Sequence, residues 1–209
     1  MEYTEIVKNN HIKFVNSLKM YNGKEYLLRY LIYMTSAVLQ KVKPAELVTF
    51  KNKSYDNLDN WKKYGTQIQE VLGMFCMKLH ENDDNISLLF YNFNELSDVL
   101  KRNKSSPLFI NAGYPTDGNS HEMLLHLKNR FDIKNFPHEI GIFLGYPACD
   151  VEAFVENEAK NYSHCRYWKV YHNIEEAEKF MERIDNARQF AAELLLKLAT
   201  HKTIQILCS

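Results

Sequence analysis

The chain has 209 residues, 45% of them hydrophobic and 13% aromatic, which suffices for one sizeable aromatic-rich core and gives no compositional reason for a second domain. Lysine plus arginine and aspartate plus glutamate balance at 26 each, so no long-range field draws in a polyanion, and nucleic acid is excluded as a default partner. The first ten residues carry acids where a signal peptide needs positive charge, and no apolar run reaches the roughly 18 residues of a membrane span, so a cytoplasmic protein that stays out of membranes is expected.

In chain order, Glu2–Tyr21 and Lys24–Val42 are expected as helices divided by Asn22-Gly23, the second with Tyr26, Leu27, Tyr30, Leu31, Met34 and Val38 on one apolar face. Lys43–Leu47 is expected to start a short helical turn with Pro44 at its first position. Asn57–His80 has the clearest amphipathic pattern of the front half, with Leu58, Trp61, Ile68, Leu72, Phe75 and Leu79 on its buried stripe. Ile86–Phe93 is apolar on both faces and is expected as a central strand.

Asn94-Glu95 can cap a short helix through Lys101, and Ser106, Pro107 and Gly113 mark the cap, first turn and end of another. Asn119-x-x-Glu122 is a capping-box start for a helix ending near Phe131. Ile140–Leu144, an apolar run bounded by Pro137 and by Gly145-Tyr146-Pro147, is expected as a buried strand, and Cys165–Tyr171 as a third. Between them Asp150 caps a helix that turns Val151, Phe154 and Val155 inward. Asn173-x-x-Glu176 opens the last long helix, whose inward stripe runs from Ile174 to Leu198, and Thr203–Leu207 could add an edge strand.

The sum is an α+β protein: a small three- to four-stranded sheet packed against several helices, in a single domain over residues 1–209. Its helical portion runs to about residue 80 and its sheet-containing portion from about 81. Gly113-Tyr114-Pro115 and Gly145-Tyr146-Pro147 echo each other, each leading to an acid and a helix; three residues are too few to establish a duplication.

Three motifs occur in order: K-P-A-E-L at Lys43–Leu47; H-E-I-G-I-F-L-G-Y-P at His138–Pro147 with Asp150-Val151 after it; and C-R-Y-W-K-V-Y at Cys165–Tyr171. Together they resemble the signature of a family of uncharacterised proteins, mostly from anaerobic bacteria, catalogued as a domain of unknown function. The resemblance runs from about Tyr33 to the C-terminus. It implies membership without mechanism, and the family's distribution raises iron or haem handling as one reading. Where this family shows a C-A-P-like tripeptide the chain has Thr35-Ser36-Ala37, which speaks against thiol chemistry at that place.

The candidate functional residues follow from strand alternation. In an extended segment His138 and Glu139 point to opposite faces, so they do not form a dyad; Glu139 instead shares a face with Gly141 and Gly145, two gaps that let a helix or a flat ligand approach. On the expected third strand Cys165, Tyr167, Lys169 and Tyr171 share one face, and Trp168 lies on the other. If the two strands are neighbours, Lys169 meets Glu139 in a partly buried pair framed by tyrosines.

Glu139, Lys169 and Tyr171 are therefore the catalytic candidates, as acid, electrostatic stabiliser and proton donor. The ligand-binding candidates are His138, Glu139, Gly141, Gly145, Tyr146, Asp150, Tyr167, Trp168, Lys169 and Lys43. Asp150 also reads as a simple N-cap, and Lys43 as a solvated lysine.

Metal and cofactor signals are weak. Cys76 and His80 have chelate spacing but no second pair; His121 and His126 are off-register on a helix; His164-Cys165 are adjacent, so no metal site is assigned. A haem held by one histidine stays open. G-x-S-x-G and the glycine-rich phosphate loops are absent, and no cofactor is assigned. The four cysteines, Cys76, Cys149, Cys165 and Cys208, form no C-x-x-C pair and are expected as free thiols. The leading functional expectation is a binding or regulatory protein for a small molecule or protein partner; a small enzyme is the alternative.

Overall fold

A computed structural model describes residues 11–51, 57–131 and 136–198. Helical residues 11–18 (α1) are followed by α2 (Gly23–Met34) and α3 (Ser36–Leu39), then β1 (Ala45–Lys51), α4 (Asn57–Leu72), β2 (Phe75–Glu81) and β3 (Asn85–Tyr91). The second half comprises α5 (Phe93–Arg102), α6 (Pro107–Asn111), α7 (Ser120–Phe131), α8 (Ile140–Phe143) and α9 (Ala148–Glu156). A two-strand hairpin, β4 (His164–Cys165) and β5 (Lys169–Val170), and the long α10 (Ile174–Lys197) complete it. The fold is α+β, as the sequence implies.

The sheet is antiparallel with order β1-β3-β2, so β3 is central, as its two-sided apolar pattern predicts. Ile86, Leu88 and Phe90 of β3 join a core with residues of α2, α4 and α10, where Trp61 packs 5.9 Å from Phe50 and 5.6 Å from Phe90, ring to ring. Leu89 and Tyr91 join a second core with Leu96, Phe109, Met123, Leu124 and Phe143. Helices therefore cover both faces of an antiparallel sheet, and alternation along β3 fills both cores.

Several caps sit where their sequence signatures put them. Asn119 and Glu122 form a reciprocal box at the start of α7: the Glu122 N–H donates to Asn119 Oδ1 at 3.0 Å, and the Asn119 N–H to Glu122 Oε2 at 3.0 Å. Ser106 caps α6, with Pro107 in the first turn, and Asn173 caps α10 through the Glu176 N–H. The cap of α5 is Asn92, two residues ahead of the expected one.

Other expectations are corrected. Lys24–Val42 divides at Thr35, whose hydroxyl donates to the Leu31 carbonyl at 2.7 Å. Pro44 does not start a helix: its carbonyl accepts from the Asn92 N–H at 3.0 Å, extending the β1 ladder into the next segment. The pattern over Asn57–His80 is a helix to Leu72 and then a strand, because Gly73 takes a φ of 61° that ends the helix.

Ile140–Leu144 is not a strand but the single turn α8, and Cys165–Tyr171 is not one strand but runs from the end of β4 through the hairpin turn and β5. Asp150 does not cap α9; Pro147 holds that position without a side-chain cap, and Val155 faces out. Ile174, at the start of the α10 stripe, is exposed. The parts of the expected first helix before residue 11, the Thr203–Leu207 strand and Cys208 lie outside the described residues.

The Gly-Tyr-Pro echo has a physical content. After both α6 and α8 the glycine has positive φ, 74° at Gly113 and 86° at Gly145. In each case the glycine N–H bonds three residues back and the tyrosine N–H five residues back, to the Phe109 and Gly141 carbonyls at 2.9 Å. Both are Schellman endings, one helix-stopping device used twice.

Candidate functional site

The three sequence motifs meet in space. Gly145 backs onto Pro44: a β-carbon at Gly145 would stand 2.6 Å from Pro44 Cδ. Next to it the Tyr146 ring stacks on Trp168 of the hairpin at 4.8 Å and 23°, and Lys43 Nζ lies 5.3 Å from the Tyr146 ring centre. Tyr146 is thus shared between the motif before β1, the turn after α8 and the hairpin.

Lys43 is not solvated. It is 2% exposed and pairs with Glu46 at 2.8 Å. Burial pushes its ammonium below the ordinary lysine value, opposed by the charge and hydrogen bond of Glu46. The Tyr146 hydroxyl is driven upward, by burial first and by Glu46 second.

Asp150, 2% exposed, joins the hairpin to α9. Its Oδ2 accepts from Trp168 Nε1 at 2.8 Å, and its Oδ1 accepts from the N–H groups of Tyr171 and His172 at 3.0 Å each, with His172 Nδ1 3.1 Å away. Burial alone would raise this carboxyl, but these hydrogen bonds outweigh it and hold it below the usual aspartate range.

The pair expected between Glu139 and Lys169 does not form, because its premise of adjacent strands fails. The buried Glu139 accepts from Tyr114 Oη at 3.1 Å and forms an ion pair with Arg130. Burial and the Glu139 charge both raise the Tyr114 hydroxyl. Lys169 Nζ turns the other way, donating to the Ala159 carbonyl at 2.6 Å and lying 4.7 Å from the Tyr162 ring centre. Ala159 has a φ of 61°, and Glu158 and Asn161 are also left-handed, so the lysine ties down a strained bend after α9. Tyr171 contributes its N–H to Asp150, while its hydroxyl has no hydrogen-bond partner among the described residues.

What the geometry does assemble is a cavity of about 320 Å³ between α8, α9 and the hairpin, with a mainly apolar wall. His138, Gly141, Tyr146, Asp150, Tyr167, Trp168 and Lys169 all line it, with Phe154 and Arg166. Glu139, Gly145 and Lys43 do not. Gly141 also admits α9, since a β-carbon there would stand 2.8 Å from Val151 Cγ2. Tyr167 is anchored from α10, donating to Asp185 at 2.6 Å and accepting from Arg188 at 3.2 Å.

Sequence reasoning passed over Glu46, Tyr114, Arg130, His172 and Asp185, the partners of the residues it chose. Two of these had a visible signal: Glu46, three residues after Lys43 inside the same motif, and Tyr114, the tyrosine of the Gly-Tyr-Pro echo.

These features define an α+β protein with a small aromatic-walled cavity closed by a hairpin, and none of the described helices is long and apolar enough to cross a membrane. The family described as a protein of unknown function (DUF3793) matches residues 31–205, and the chain belongs to it. No curated protein and no solved structure is significantly similar to the chain.

Proposed function

We propose that the chain is a cytoplasmic binding or regulatory protein that holds a small, flat molecule bearing an anionic group in the cavity between α9 and the β4–β5 hairpin. The observation that carries this is Lys169. Its ammonium stands among aromatic rings at the cavity wall and has no carboxylate partner among the described residues; its hydrogen bond goes to one backbone carbonyl. A cation so placed favours an anion, and the Tyr146–Trp168 stack offers a ring a flat apolar surface.

The cavity volume falls at the lower end of small-molecule sites, about 300–1,000 Å³. Binding is preferred to catalysis because Glu139 is held by Tyr114 and Arg130 and Lys169 by the Ala159 carbonyl, and of the three candidates Lys169 alone lines the cavity, so acid, cation and hydroxyl are not turned on one atom. The described cysteines, Cys76, Cys149 and Cys165, are free thiols, in keeping with a reducing compartment.

The test uses Trp168 as reporter in a Trp61→Phe background. Benzoate, salicylate and indole-3-carboxylate are titrated against their neutral amides. Saturable quenching is expected, with the acids binding about tenfold more tightly than the amides, the effect of one charged hydrogen bond, and Lys169→Met is expected to erase that preference. No saturable binding, or a preference that survives Lys169→Met, overturns the proposal.

A further inference from the structure

A second cluster lies on the far side of the Asp150–Trp168 contact. Cys149, Asp150 and His172 bring a thiol, a carboxylate and an imidazole together, with one ligand atom of each within 4.8 Å of the other two. Backbone geometry sets this arrangement. Cys149 and Asp150 are consecutive in the first turn of α9, and the Tyr171 and His172 N–H groups clamp the chain leaving β5 onto Asp150 Oδ1.

We propose that Cys149, Asp150 and His172 form a three-ligand site for a divalent transition-metal ion, with Zn2+ the best fit. Thiolate, imidazole and carboxylate are the donor types that zinc takes, and the two anionic ligands neutralise its charge. His172 Nδ1 and Asp150 Oδ1 are 3.1 Å apart. Two such ligands at about 2.0–2.1 Å from a tetrahedral zinc stand about 3.3 Å from each other, so an ion can replace the shared proton with a shift of a few tenths of an ångström. Cys149 is exposed and free to rotate its sulfur inward.

The outer shell is already in place: Trp168 Nε1 holds Asp150 Oδ2, which orients the carboxylate as partners of metal ligands do. Three protein ligands leave a fourth position open, and here it faces a cavity of about 500 Å³ whose wall includes Arg102 and Arg183. Such a position suits water or an anionic ligand, the arrangement of zinc sites that act on or bind something, as distinct from four-ligand structural sites. Lys169 has no part in it, so the site stands or falls apart from the binding function proposed above.

Full-length protein freed of metal is titrated with Co2+. One equivalent is expected to bind with an intense near-ultraviolet thiolate-to-cobalt band, displaced by Zn2+. Cys149→Ser should abolish the band and His172→Gln should weaken binding at least about tenfold. Both side chains are exposed, and unchanged circular dichroism checks the variants' fold. In the unsubstituted protein Zn2+ should slow alkylation of Cys149 by iodoacetamide at least about tenfold, mapped by peptide mass. Absence of the band, its survival in Cys149→Ser, unweakened binding in His172→Gln, or an unaltered alkylation rate each overturns the assignment.

Discussion

Lys43 and Glu46 show how far a residue's surroundings can depart from its local sequence. K-P-A-E-L reads as a helix start with a solvated lysine, yet the segment leads into β1 and the lysine is buried against Glu46 and Tyr146. Burial is decided by what the rest of the chain brings to the spot, here the turn after α8, a hundred residues away in sequence. Removing one partner of a buried pair leaves an uncompensated charge, so Lys43→Met should cost about 3–5 kcal/mol in urea unfolding, and adding Glu46→Leu should restore much of it. The pH dependence has a definite sign. Because the folded-state pKa of Lys43 lies below its unfolded value, the unfolded chain holds more protons between the two. This residue's contribution to stability therefore grows as pH rises through that window toward about 10.4 and is lost as pH falls back through the folded pKa. Stability curves of the unsubstituted protein and the double variant, compared from pH 7 to 10.5, should diverge in that direction; a flat difference would show that Lys43 titrates in the fold as it does in the unfolded chain.

At the scale of elements, what was legible were devices that act within one turn: the Asn119–Glu122 box, the Ser106-Pro107 start and the Asn173 cap. What was illegible were short apolar runs. Five buried residues, Ile140–Leu144, fit a strand or a helical turn equally well by periodicity, and only the glycine that follows decides between them. The two Schellman endings allow a controlled comparison. An alanine at Gly113 meets no neighbour closer than His126 at 3.9 Å and should cost only the left-handed backbone penalty, about 1–2 kcal/mol. An alanine at Gly145 incurs the same penalty and also drives its β-carbon to 2.6 Å from Pro44, a proline that cannot swing aside. Gly145→Ala should therefore destabilise more than Gly113→Ala by about 1–3 kcal/mol, the usual range for overpacking, as read by urea midpoints at constant slope. Equal costs would mean that the Pro44 contact yields. Of the candidate site, seven of the ten ligand-binding residues line one cavity although the first expected strand is the helical turn α8 and the second is reduced to the short arms and turn of the hairpin. They lie close together in two short stretches of sequence, and those stretches meet; the Glu139–Lys169 pairing needed a particular register and was lost with it.

Across the whole molecule, the two ends of the described chain are joined through Arg29 of α2. It is 1% exposed, pairs with Glu25 at 2.6 Å, and donates to the carbonyls of Leu195 and Leu198 at 2.8 Å each, where α10 leaves its last carbonyls without helical partners. Its guanidinium also lies 4.0 Å from the centre of the Tyr21 ring. No other residue type supplies that fork, so Arg29→Met keeps the apolar stem and removes the ties. The two charge-assisted bonds to the α10 carbonyls, about 1.5–3 kcal/mol each, are lost together with the Glu25 pair, partly offset by relief of the desolvated charge, for an expected net cost of about 3 kcal/mol. In a chain of this size that lowers Tm by about 6–12 °C. The location of the loss is the sharper test. Trp61 packs against the core shared by α2, α4, β3 and the C-terminal end of α10, whereas Trp168 reports the hairpin, which packs at the N-terminal end of α10. If helices on both faces of the sheet unfold as one cooperative unit, single-tryptophan versions of Arg29→Met should show the same lowered midpoint at both reporters. A midpoint that falls at Trp61 while Trp168 keeps its original value would divide the chain into two units joined by α10, and the hairpin cavity would then belong to a part that stands without the N-terminal helices.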